Sequence, residues 1–302
     1  MKPVDDYLGM ILTGTVAGAL ARLLLLRMDY RQYPGYPHGM VAHVSLGFIA
    51  SALGAVAIPA LLKPDFAAVT FLALAAQQFR EIRGMERTTL ENLERTELVK
   101  RGSDYIEGIA RTFEARNYLV MATAISVSLA YHLGGIVAAG LVAVLVITFS
   151  LSFRSGETIG DICEVESAAI SFDGSRLKVD EIVIMNVGLR ESREKILQEA
   201  LGIRIKPKGA NARSVINDLG QRMAIAHTAS IILGIKKDID TPEFTPLVRK
   251  NLDTGELGLY ILPAIRDAEA LLLAVKRTPV LESARSKPLS TQAGRMAADK
   301  ND

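Results

Sequence analysis

Four carboxylates stand in two short polar stretches that border long apolar runs. Asp104 and Glu107 lie in GSDYIEGIARTFEARNY, residues 102–118, and Glu157 and Asp161 lie in GETIGD, residues 156–161. The spacing of Asp104 and Glu107 puts both on one face of a helix, beside Ile106, Ile109 and Phe113. Two carboxyls brought close cannot both ionise, so one pKa rises and the pair shares a proton, as aspartic peptidases require. The expected catalytic set is Asp161 and Glu107, with Asp104 and Glu157 in reserve. Structural roles fit the same residues. Asp104 can cap a helix beginning at Tyr105, Glu107 can pair with Arg111 at i,i+4, and Asp161 can lie in a turn.

Other chemistries lack their motifs. No Walker loop, GxGxxG, CxxC or HExxH occurs, so neither a nucleotide, a zinc ion nor any other cofactor is expected. The single cysteine, Cys163, excludes an intrachain disulfide and a multi-cysteine metal site, and reads as a small buried hydrophobe. A net charge of +2 gives no electrostatic reason to expect a nucleic-acid partner.

The elements that must carry the carboxylates are mostly apolar. The 302 residues are 49% hydrophobic and contain no Trp, and the mean hydropathy is +0.24. Part of the chain should therefore lie in lipid. Apolar runs cover residues 7–26, 40–62, 66–79, 118–133 and 136–153, the last two separated only by Gly134 and Gly135 as a tight turn. A lipid-spanning helix needs roughly 20 apolar residues. About five transmembrane helices are expected over 1–153, with a cytosolic loop at 80–117; the run at 66–79 is short enough to be re-entrant instead, leaving four. The first run has no convincing cleavage site and reads as a retained span.

Loop charges choose the orientation. Arg80, Arg83, Arg87, Arg95, Lys100, Arg101, Arg111 and Arg116 gather on one side with Arg27 and Arg31, against Lys2 and Lys63 on the other. Positive loops stay inside, so the C-terminal half is expected in the cytosol of a multi-pass membrane protein. Gly14 and Gly18 form a GxxxG that serves ordinary bundle packing or a homo-oligomer seam. Arg22, one turn from a span end, is expected to snorkel. His43 and His132 are ionisable groups about a turn inside their spans; near an interface, a neutral histidine with a hydroxyl partner is the simpler expectation.

After Arg154 the texture changes to a small cytosolic α+β domain at 154–283. Strands are expected at 162–170 and 177–185, joined as a hairpin by the turn at 172–175. Helix 189–201 follows, then strand 202–207, a helix over 211–235 interrupted at Gly220, strand 257–262 and helix 265–277. The two helices 189–201 and 265–277 should pack on one sheet containing 177–185 and 257–262. Residues 284–302 read as a disordered polar tail.

YIEGIA at 105–110 resembles the signature hexapeptide of the YIEGIA family, membrane proteins of endospore-forming bacteria. GDI at 160–162, IMNVGL at 184–189, REKIL at 193–197, LGQR at 219–222, PEFTPL at 242–247 and AVKRTPVLES at 274–283 are also similar to that family. The resemblance implies a sporulation or spore-membrane role and supplies no reaction. GETIGD has a partial likeness to the GxGD motif of membrane-embedded aspartic peptidases: Gly160 and Asp161 match, Thr158 replaces the first Gly, and the partner YD motif is present only reversed, as Asp104-Tyr105.

Three functions follow. One is a membrane peptidase whose cytosolic domain admits or restrains a protein substrate. Another is a non-enzymatic membrane regulator or scaffold, with that domain docking a protein partner. The third, a transporter, lacks charged residues at mid-bilayer and any inverted repeat.

Overall fold

The computed structural model describes residues 4–29, 37–63, 66–97, 99–152, 156–238, 241–285, 291–293 and 296. The chain divides into two compact units: residues 1–88 with 109–155, and residues 89–108 with 156–302. The polar tail expected beyond Ser283 falls mostly outside the described residues, as do Lys2, Arg31 and Arg154.

The first unit is helical. It contains α1 (Val4–Asp29), α2 (Pro37–Leu62), α3 (Phe66–Arg80), most of α4 (Ile82–Leu93) and most of α5 (Ser103–Ser152). Among the described residues three helices are long and apolar enough to cross a membrane: Tyr7–Leu26, Gly39–Leu62 and Ser103–Leu151. Helix α3 has only 15 residues. The fourth and fifth expected runs both fall in α5, whose helical course breaks at Gly134 and Gly135. Gly135, at φ 69° and ψ −162°, takes a conformation almost closed to residues with a Cβ.

Beyond that break the chain turns back. Val127 from the first arm and Ala139 from the second share one apolar cluster with Ala17 of α1. On a straight helix those two would lie about 18 Å apart, too far to meet one alanine. Helices α1 and α2 lie close together, with Ser51 donating to the Thr15 carbonyl at 2.6 Å. Gly14 faces Ser128 and Ala55, and Gly18 faces Ser51, all within the same chain.

The second unit is α+β. After the short α6 (Ile159–Ile162) come β1 (Cys163–Ala168), β2 (Ile170–Asp173), β3 (Arg176–Val179) and β4 (Ile182–Asn186). Next are α7 (Arg190–Glu199), β5 (Leu201–Pro207), α8 (Ala210–Asn217) and α9 (Leu219–Leu233). The small strands β6 (Lys237–Asp238) and β7 (Thr241–Pro242) precede β8 (Leu247–Lys250), β9 (Leu257–Ile261) and α10 (Ala268–Arg277). The main sheet has the order β1-β5-β9-β8 and is antiparallel; β2-β3-β4 form a second sheet.

Here the expected hairpin is corrected. The turn at Gly174-Ser175 does join two strands, but they are β2 and β3. Strand β1 pairs instead with β5, from Cys163 opposite Pro207 to Ala168 opposite Gly202. The stretch 177–185 is two strands, because Asp180 takes φ 48° and the chain reverses there. Its strands lie in the second sheet, so they do not share one sheet with β9. Leu177, Val179, Ile182 and Ile184 bury their side chains with Tyr260 and Leu262, which joins the two sheets through one core.

Candidate functional site around the signature hexapeptide

All four candidate carboxylates belong to the second unit. What gathers their segments is residues 276–285, the end of α10 and the extended chain after it. Ile159 donates its N–H to the Thr278 carbonyl at 2.9 Å, and Val280 donates to the Glu157 carbonyl at 2.9 Å. Thr158 and Pro279 form an antiparallel bridge. GETIGD is thereby laced to this segment as a short ribbon.

The same segment holds LGQR. Gln221 is fully buried; its side-chain amide donates to the Pro279 carbonyl at 3.1 Å and its Oε1 accepts the Leu281 N–H at 2.7 Å. Asp218 caps α9 by accepting the Gln221 N–H at 2.9 Å, which explains why the helical pattern breaks just before Gly220. Two turns further along α9, the His227 ring meets the edge of Tyr105 at 6.2 Å with 73° between planes. Gly108, in the hexapeptide, sits so close to Ser283 that a Cβ would come 2.5 Å from its hydroxyl. Three segments far apart in sequence thus converge on one strut.

Glu94 sets the approach of the hexapeptide. It lies in the 3₁₀ turn after α4 and is 5% exposed. Its carboxylate accepts the Arg101 N–H at 2.8 Å, the Gly102 N–H at 3.3 Å and the Arg101 guanidinium at 3.2 Å. A buried carboxylate needs such company, since desolvation without partners is expensive.

Asp161 is exposed and tied locally. Thr158 donates both its N–H (2.7 Å) and its hydroxyl (2.9 Å) to Asp161 Oδ2, and these bonds, with Lys208 nearby, hold the carboxyl below its usual range. Lys208 also donates to the Gly160 and Asp161 carbonyls at 3.1 Å each. Glu157 is exposed and faces the Arg285 guanidinium at 3.6 Å. Asp104, exposed in the first turn of α5, accepts from Ser103 at 3.2 Å. Its charge also reaches Arg222, whose basicity burial lowers. Glu107 is half-buried on the next turn. Cys163 is buried, and burial pushes its thiol up to about 12, so it is no thiolate nucleophile. Among the described residues no group of three or more His, Cys, Asp or Glu could hold a metal ion.

Gln221, Glu94 and Ser283 are site residues that the carboxylate argument does not reach. Gln221 and Ser283 lie in the LGQR and AVKRTPVLES blocks, read there only as resemblance, and Glu94 lies in none of the blocks. The sequence model described as "YIEGIA protein" matches residues 10–291. The chain belongs to the YIEGIA family. This YIEGIA protein is 44% identical over 285 residues to the uncharacterized protein YphB of Bacillus subtilis (strain 168), covering 94% of this chain and 96% of that relative. No solved structure matches the chain.

Proposed function

We propose that this YIEGIA protein is a multi-pass membrane protein of a spore former, acting as a peptidase through carboxylates of YIEGIA and GETIGD. The lacing of both segments to residues 276–285 carries this reading, because it draws two chemically suited stretches into one unit. Five spans follow if α3 crosses and the two arms of α5 each cross, and the arginine-rich loops then put the second unit in the cytosol. Asp161, ionised by its Thr158 bonds, takes a proton from water as the water oxygen attacks the peptide carbonyl. Glu107 acts as the second carboxyl, giving a proton to the leaving nitrogen as the carbon–nitrogen bond breaks to release acid and amine.

A second reading, a regulator or scaffold that docks a protein partner, is favoured by the Thr158–Asp161 bonds themselves, since these are what a structural cap makes. Asp161→Asn separates the two. Asn retains an oxygen to accept both Thr158 bonds but cannot act as a base. Spores carrying it should keep parental amounts of the protein yet show the membrane proteome of the deletion strain. A parental proteome would remove Asp161 from catalysis and leave the scaffold.

A further inference from the structure

Two helices of the first unit turn ionisable groups against Phe113, which is itself 1% exposed, and two more bury ionisable groups of their own. From α1 comes Arg22, also 1% exposed, with its guanidinium 5.4 Å from the Phe113 ring centroid. From α2 comes His43, 1% exposed, its ring 4.6 Å from the same centroid. From α4 comes Glu86, buried, with Oε1 3.6 Å from His43 Nε2. From α5 comes Arg116, buried, whose guanidinium donates to the Leu25 carbonyl at 3.5 Å. Outside this set, Arg83 of α4 faces Glu114 of α5 at 3.8 Å, a compensated pair near the surface.

Arg22 therefore does not snorkel. Its stem lies against Gly47 of α2, where any Cβ would collide with the Arg22 Cγ. The helices were shaped to enclose this side chain. Apolar residues of like volume would fill the same space at least as stably as buried charges, so stability alone does not explain the set. Ionisable residues enclosed among membrane-type helices are by default functional.

We propose that His43 and Glu86 form a proton-binding pair that fastens α4 to α2. The imidazole is the side chain suited to taking and releasing a proton near neutrality. At 3.6 Å the ring nitrogen and the carboxylate oxygen are just beyond ordinary hydrogen-bond length. Protonation of His43 converts the contact into a charge-assisted bond of about 2.8 Å. Glu86, the carboxylate facing the ring, supplies the acceptor for that bond. When the proton leaves, the fastening loosens. Helix α4 leads directly into the turn that carries Glu94, the residue gripping the start of the hexapeptide, so the pair acts on the segment that presents the signature. This device does not depend on the peptidase reading.

The test uses the full-length chain in lipid nanodiscs. Hydrogen exchange of α4 amides, referenced to α1 amides at the same pH, should show protection rising roughly tenfold from pH 8 to pH 5. Glu86→Gln keeps the shape and should abolish that rise, as should His43→Gln. The imidazole resonance of His43 in the unsubstituted chain should titrate across the same range, which keeps the test decisive should either variant misfold. A pH-independent α4, a rise that survives in a folded Glu86→Gln protein, or an unmoving His43 resonance would each overturn the proposal.

Discussion

Gln221 holds Leu281 by its backbone N–H at 2.7 Å, across 60 residues of sequence and without exposure to water. Because the other end of the same amide takes the Pro279 carbonyl, one side chain replaces two strand-like bonds. Gln221→Leu should leave both backbone groups buried and unpaired. The expected loss is about 2–5 kcal/mol, read as a lower midpoint in denaturant titration of the protein in micelles. A shift below about 0.5 kcal/mol would show that the strut does not depend on this side chain.

Gly108→Ala should damage the protein through Ser283. The added methyl meets the Ser283 hydroxyl at 2.5 Å and its Cβ at 3.3 Å, an overpacking that costs about 1–3 kcal/mol. Adding Ser283→Gly removes both opposing atoms and should restore most of that loss. Additive effects in the double variant would mean that the two sites do not touch.

Asp161 should titrate below ordinary carboxylates. Its two Thr158 bonds stabilise the ionised form, so the stabilisation is present above the unfolded value and disappears as pH falls through the folded one. Carbon-13 titration of the carboxyl should show Thr158→Val moving it back upward. An unchanged titration would assign the depression to the backbone N–H at position 158, which valine keeps, and to Lys208.

His227 carries the opposite chemistry with the same sign. Burial brings its folded pKa down to about 4 from an ordinary 6.5. Between those values the unfolded chain binds more protons, so stability rises with pH across the window and falls on acidification. His227→Phe should remove about 1–3 kcal/mol of that pH dependence, seen by comparing melts at pH 4.5 and pH 7. Parallel acid losses in variant and parent would place the acid sensitivity elsewhere.

The helices at 7–26 and 40–62 were legible because apolar length alone marks them, and both recur within α1 and α2. So was the break near Gly220, where Asp218 supplies the cap. Strand pairing was not. Cys163–Ala168 finds its partner nearly 40 residues on, in β5, and alternation within a strand says nothing about which distant strand completes it. The reversal at Asp180 was hidden because a single non-glycine residue at positive φ leaves little mark in composition. Arg22 misled for a different reason. Its position near a helix end permits snorkelling, and only the cleared space beside Gly47 shows that the side chain turns inward.

The break at Gly134 and Gly135 also bears on how the protein is made. The second unit is discontinuous, residues 89–108 being separated from the remainder by residues 109–155. Because the two arms of α5 fold back on each other, the chain enters and leaves this insertion at the same end. The early piece, with the Glu94 clip and the hexapeptide as far as Gly108, can meet the strut at 276–285 only after the whole insertion has been synthesised. A substitution that straightened the chain at Gly135 would leave both pieces correctly synthesised, yet hold them roughly 65 Å apart along one continuous helix, too far to meet.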